Sequence, residues 1–240
     1  MTRSELAGVF DIEDHAYFYG LLAKAADALC GEEGDKASAY FTKLYAEERG
    51  RRMRNRALAD HMPLTLETYR LYTEWADLGH RMKVETLELG PNYRMNGTYC
   101  VWNEIWKQNH MEKYGRIYCA YVDQTMVHSF NPNNELIIHS TLSAGGAGCD
   151  FEWVGLGYES MKDLKESGAK KQYLRERTVK DFLYHCGHLY SAAKRGYGKT
   201  LGEQTTSMLL DLAMQKYRER YGSDKANAII EESGLDFDEI

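Results

Sequence analysis

Between Asn103 and Val154 the chain reads as one long amphipathic helix, a turn, a short strand, a glycine turn and a second strand. That order leaves few architectures open. Two short strands joined by a tight turn pair antiparallel, and a helix with one apolar face must bury that face against them or against other helices. The helix is expected over 103–127, with an irregularity at Gly115. The strands are expected at Leu136–Leu142 and Cys149–Val154, joined through Gly145-Gly146-Ala147-Gly148.

The flanking sequence supplies the rest of the fold. In residues 12–30, Phe18, Leu21, Leu22, Ala25 and Leu29 make one helical stripe, and Gly31 stops it. A longer helix follows over 32–60, with Gly50 as the place where it would break. Helix 65–78 precedes an alternating strand at 81–89, a turn at Gly90-Pro91-Asn92, a second turn at Asn96-Gly97 and a partner strand near 98–101. The last third reads as helices at 160–166, 179–194, 202–221 and 225–233. Three prolines in 240 residues suit a helix-rich chain, and the 18 tyrosines suit helix packing, pocket walls or an interface. The expected class is α+β: mostly helical, with a small antiparallel sheet of about three or four strands packed against the central helix. A single domain is expected over 1–240, with N-terminal helices at 12–78, the central helix and sheet at 81–155 and C-terminal helices at 160–233. His15, Tyr17 and Gly31 in the first helix pair are echoed by His188, Tyr190 and Gly202 near the end, as a duplicated pair would give.

Composition narrows the function. A net charge of −6 argues against general nucleic-acid binding, and no apolar run is long enough for a membrane span. The N-terminus lacks the apolar core of an export signal, and five cysteines without framework spacing fit a reducing compartment, so a cytoplasmic protein is expected. Five arginines crowd into 49–56. They read either as a patch facing carboxylates or phosphates, or as a solvated face paired with Glu47, Glu48 and Asp60; the solvated face is the expectation.

The chemistry-bearing residues gather in the opening stretch. Asn109, Arg116, Cys119 and Asp123 fall on one helical stripe at spacings of seven, three and four. Arg116 and Asp123 could pair and Cys119 could be a small core residue. Alternatively Cys119 and Asp123 lie at a pocket floor as nucleophile and general base. His128 follows on the helix. Asn131, in Phe130-Asn131-Pro132, could present its amide to a polar substrate, and His139 lies on the next strand. Cys149 opens the last strand. With Cys119 and Asp123 it could hold one divalent metal ion, although no paired-cysteine or paired-histidine motif supports a metal. The glycine run lacks the Lys-Ser/Thr ending of a phosphate loop. His185-Cys186-Gly187-His188 reads as helix packing.

These residues resemble the L-2-amino-thiazoline-4-carboxylic acid hydrolase family. The resemblance runs through Gly31-Glu32-Glu33-Gly34, Tyr45-Ala46-Glu47-Glu48-Arg49-Gly50-Arg51-Arg52-Met53-Arg54, Asn109-His110, Tyr114-Gly115, Tyr118-Cys119, Val122-Asp123 and Phe130-Asn131-Pro132 to Cys149-Asp150-Phe151. It departs in the double glycine before Cys149. The resemblance implies hydrolytic opening of a small cyclic amidine at a C–N bond. Cys119, Asp123, Cys149 and His128 would act on the bond, and Arg116, Asn109, Asn131 and His139 would hold the substrate. The helix, strands and Cys-Asp-Phe are also similar to the small-molecule-binding domain of the 4-vinyl reductase type, which would imply binding without turnover. A third alternative is a helical interaction protein whose tyrosines form a homodimer interface.

Overall fold

The computed structural model describes residues 2–238. Its class is α+β and mostly helical, with one antiparallel sheet of four strands, as the sequence led us to expect. None of its helices is long and apolar enough to cross a membrane, among the described residues. The chain divides into two compact units built from interleaved segments.

The first unit (Met1–Tyr45, Val101–Tyr121, Lys180–Phe237) is all helical. It holds α1 (Arg3–Ala7), α2 (Ile12–Cys30) and the start of α3 (Glu32–Ala59). It also holds α5 (Val101–Gln108), the start of α6 (Glu112–Phe130), α8 (Phe182–Leu201), α9 (Glu203–Tyr221) and α10 (Ser223–Glu232). Asp11 caps α2 in a reciprocal arrangement with Asp14, and Gly31 ends the helix at φ 57°. Tyr19, Phe41, Trp106 and Tyr197 are fully buried in this unit, so many tyrosines do pack helices.

The expected 103–127 helix is two helices. The break falls at residues 109–111, where His110 takes φ 54° and the Met111 amide donates back to Trp106 O at 2.8 Å. His tolerates this left-handed conformation better than most side chains, and it closes α5 as a C-terminal cap. Gly115 is regular; a Cβ there would meet the Trp106 ring at 2.2 Å, so the glycine serves close packing.

The second unit (Ala46–Cys100, Val122–Val179, Asp238–Ile240) carries the sheet. Its strands are β1 (Lys83–Glu88), β2 (Tyr93–Tyr99), β3 (Leu136–Ser140) and β4 (Cys149–Trp153), in the order β1-β2-β4-β3. Around them lie the end of α3, α4 (Leu66–Tyr72), the end of α6 and α7 (Met161–Thr178). Asn96-Gly97 is not a turn. β2 runs straight through it, pairing Asn96 with Glu85 and Asp150 and Gly97 with Val84 and Cys149. The register puts Tyr93, Met95, Phe151, Trp153, Leu136 and Ile138 on one face. That face packs on helices: Tyr69 of α4 meets Trp153 at 5.8 Å and Phe130 of α6 at 5.6 Å between ring centroids. Arg94, Asp150, Glu152 and His139 take the opposite face.

Two further expectations change here. α3 is unbroken at Gly50, where a Cβ would lie 2.5 Å from Met126 O; the glycine lets α3 and α6 touch. The arginine run is not a solvated face either. Arg49, Arg52 and Arg56 are buried about the fully buried Glu74. Arg52 grips it with two bonds of 2.7 Å, while Arg49 and Arg56 approach at 3.4 Å. This cluster also explains why α4 stops at Tyr72 instead of residue 78. Thr73 turns to an extended conformation, and the chain leaves the helix to deliver Glu74 among the guanidinium groups.

Candidate functional site

The second unit encloses a cavity of about 520 Å³. The inner face of the sheet supplies one wall, through Val84, Tyr93, Met95, Phe151 and Trp153. Tyr69 and Arg70 of α4, and residues 73–82 after it, supply a second. Asp123 and Met126 of α6 supply the base, and Ser167, Gly168, Lys171, Gln172 and Arg175 of α7 close the remaining side. Flat apolar walls with a few convergent polar groups are the usual form of a small-molecule site.

Asp123 is the most informative of these groups. It sits mid-helix, partly exposed into the cavity, with protein on its other sides. It makes no hydrogen bond or ion pair among the described residues. Burial pushes its carboxyl up to about 6, against a smaller pull downward from Arg49. Beside it Tyr69 is buried, and its hydroxyl makes no hydrogen bond among the described residues. Burial and the Asp123 charge hold the Tyr69 phenol well above its ordinary range, so it stays a proton-bearing donor.

The cations differ in their engagement. The Arg70 guanidinium donates to the Tyr158 hydroxyl and lies 4.7 Å from the Tyr93 ring centroid, with Tyr158 at 5.6 Å and Trp153 at 6.0 Å. It is built into an aromatic wall. The Lys171 ammonium donates to Arg70 O at 3.1 Å and to the Thr73 hydroxyl, both neutral acceptors. Burial, then the charges of Arg70 and Arg49, lower Lys171 to about 8.

Of the residues singled out from the sequence, the second unit holds Asp123, His128, Asn131, His139 and Cys149. The first unit holds Asn109, Arg116 and Cys119. Cys149 starts β4 on the same face as Phe151, half-buried, with its Sγ accepting from the Leu142 amide at 3.4 Å. Burial pushes the Cys149 thiol up, the Leu142 amide opposes this, and the Asp123 charge adds to the rise. It is therefore a poor thiolate. His128 is exposed on the last turn of α6. Asn131 holds the chain: its amide donates to Leu64 O at 2.6 Å and its carbonyl accepts from the Asn133 amide at 3.0 Å. His139 lies on the sheet face away from the cavity, 2.8 Å from Glu152.

Cys119 is half-buried on α6, near Tyr19, whose phenol is pushed up chiefly by burial. Arg116 is exposed on the same helix, and no ion pair of Arg116 is found among the described residues. Asn109 sits in the break after α5, out of helical register with the other three; it bonds Ile105 O at 2.7 Å and accepts from Arg220 at 2.6 Å. Among the described residues no three His, Cys, Asp or Glu side chains come together to hold a metal ion, so Cys119, Asp123 and Cys149 are not such a set.

Tyr69, Arg70, Lys171 and Arg175 were not singled out from the sequence. The one available signal was a stripe in α7: Ser167, Gly168, Lys171, Gln172 and Arg175 recur at helical spacing with no apolar residue among them.

A family model described as L-2-amino-thiazoline-4-carboxylic acid hydrolase matches residues 11–153, more than half of the chain. No curated protein and no solved structure matches it. The matched segment includes Tyr69, Arg70, the whole sheet and Asp123; α7 lies beyond it. The chain belongs to the L-2-amino-thiazoline-4-carboxylic acid hydrolase family.

Proposed function

We propose that the protein is a hydrolase that opens a C–N bond of a small cyclic amidine of the thiazoline type, in the cavity of the second unit. The observation that carries this reading is Asp123: a carboxyl open to a largely apolar cavity, with no hydrogen bond or ion pair among the described residues and a pKa raised to about 6. A carboxyl in that range suits general acid–base work near neutral pH.

The chemistry follows from the groups around it. The substrate ring lies between the flat walls of Tyr93, Phe151 and Trp153. Water attacks the amidine carbon while the Asp123 carboxylate takes its proton. The tetrahedral intermediate then collapses. The intermediate's hydroxyl becomes the carbonyl and gives up its proton as the bond from that carbon to the ring nitrogen breaks, and the nitrogen leaves with that proton and the one returned by Asp123. The carbamoyl group remains on the other heteroatom, so substrate and water together account for every atom of the product. Tyr69, as a neutral donor beside Asp123, hydrogen-bonds the intermediate. A water mechanism is favoured over a thiolate at Cys149, because burial and the Asp123 charge disfavour that thiolate. Cys119 belongs to the first unit and takes no part in this reading.

A second reading is binding without turnover. It is favoured by the absence, among the described residues, of a hydrogen-bonded group to orient Asp123. One experiment separates the two: purified protein is incubated with 2-amino-thiazoline-4-carboxylate and the carbamoyl product is measured by mass spectrometry. Product from the wild type and none from Asp123→Asn supports hydrolysis. Thermal stabilisation by the same compound with no product supports the binding module.

A further inference from the structure

Lys171 and Arg175 present two cations to the cavity that no carboxylate neutralises. They stand four residues apart on α7, on the stripe that faces the cavity, together with Ser167, Gly168 and Gln172. A helix packed on a domain normally turns an apolar stripe inward. α7 turns a polar one, and its buried residues are Ser167 and Thr178. Lys171 is held by a carbonyl and a hydroxyl, and neither Lys171 nor Arg175 is ion-paired among the described residues. The third cation, Arg70, is occupied by Tyr158 and three aromatic rings. On the acidic side, Asp77 lines the cavity with one carboxylate oxygen on the Met82 amide at 2.6 Å and the other without a hydrogen bond, and Asp123 is the proposed working group, so three cations of the lining face two carboxylates. The lining therefore has cationic capacity left over on one helix, near enough to a flat apolar slot to be filled by one small molecule.

We propose that Lys171 and Arg175 are the anchor for an anionic group of the ligand, a carboxylate, so that α7 decides which compounds the cavity accepts. This rests on the reading of the cavity as the working site. It goes beyond that reading in one respect: α7 lies outside the segment that the family model matches, so ligand choice is carried by a part of this chain that membership does not describe. A carboxylate placed there supplies an anionic acceptor that the two cations do not have among the described residues, and charge-assisted bonds in a low-dielectric cavity separate charged from neutral ligands strongly.

The test uses the full chain and two probes, 2-amino-thiazoline-4-carboxylate and its neutral carboxamide. Affinity is read by thermal shift and calorimetry, and turnover by product. The wild type is expected to prefer the carboxylate by about tenfold or more. Lys171→Met with Arg175→Gln is expected to erase the preference by weakening the carboxylate alone, and Lys171→Arg to retain it. α7 exposes most of its surface, and circular dichroism confirms that the variants fold. A preference that survives the double variant overturns the proposal, as does equal binding of the two probes or no binding of either. If the wild type binds the carboxylate selectively but forms no product, the anchor stands and the hydrolase reading fails.

Discussion

The two units differ in where their incompletely bonded polar groups lie. In the first, many buried polar groups are matched, although Asp35 Oδ1 and the Tyr221 hydroxyl are buried without a hydrogen bond. Asp14 accepts from Tyr217 at 2.6 Å and from Lys225 at 2.8 Å and 3.0 Å. His15 lies between the Tyr45 hydroxyl and the Trp102 indole, each at 3.1 Å. Tyr19 meets Thr42 at 2.9 Å, and Ser38 meets Tyr197 at 2.8 Å. The second unit matches Glu74 with three arginines, then brings to one cavity Asp123, Tyr69 and Arg175 with no side-chain hydrogen bond among the described residues, Lys171 with neutral acceptors alone, and Asp77 Oδ1 and Trp153 Nε1 buried without a hydrogen bond. Buried polar groups are ordinarily satisfied within the protein, so a group of exceptions around one cavity supports the proposal that a ligand completes the set there. The titratable residues around that cavity are the ones proposed above to act on a ligand.

This contrast can be broken by mutation. The largest effect is expected at Glu74. Glu74→Gln removes the charge shared by Arg49, Arg52 and Arg56, and should destabilise the second unit by about 3–5 kcal/mol in denaturant titration. Next comes Asp14→Ala in the first unit, which strands Lys225 and the Tyr217 hydroxyl; a loss of about 2–3 kcal/mol is expected, with the rate constant of the remaining folded protein unchanged. If turnover in the folded fraction fell as well, the first unit would not be the passive one.

Asp123→Asn should have the opposite sign. The native carboxyl rises from 3.8 to about 6, so the folded state holds its proton more tightly than the unfolded state between those values. Stability contributed by the protonated form is present below about pH 4 and is lost as pH rises through 6. Replacing the carboxylate by a neutral amide should therefore stabilise the protein by on the order of 2 kcal/mol at pH 7–8. Melting temperatures of the two proteins should converge near pH 4. The smallest change in stability is expected for Tyr69→Phe, within about 0.5 kcal/mol because the hydroxyl makes no hydrogen bond among the described residues, while the rate constant for turnover falls.

Residues with strong periodicity gave their positions away. The stripe of α2 located Ile12–Cys30 to the residue, and the class and the sheet against the central helix were readable from the alternation around the glycine turn. Legibility failed where tertiary packing overrode local signals. Gly50 and Gly115 read as breaks but are close contacts with Met126 and Trp106. Asn96-Gly97 reads as a turn but lies mid-strand beside Cys149. α7 went half unseen, because the stripe it turns to the cavity is polar and leaves no apolar periodicity to detect. The site suffered from the same cause. Asp123 could be found because it sits on an amphipathic helix; Lys171 and Arg175 look like solvated surface until the fold folds them over the cavity. The break at His110 likewise took Asn109 out of the stripe it seemed to share with Asp123.

The most direct measurement is the pH dependence of kcat/KM for opening of 2-amino-thiazoline-4-carboxylate in the wild type and Asp123→Asn. Arg49 acts on the charge of Asp123, and His80, Asp77, Arg70, Lys171 and Arg175 line the same cavity, so variants of these groups should move the profile without removing it. A general base at Asp123 predicts activity that rises through about pH 6, and a loss of about a hundredfold or more, together with that rise, in Asp123→Asn. A wild-type profile flat through pH 6, or a variant that keeps both the rate and the rise, would contradict the assignment of Asp123 as the working carboxyl.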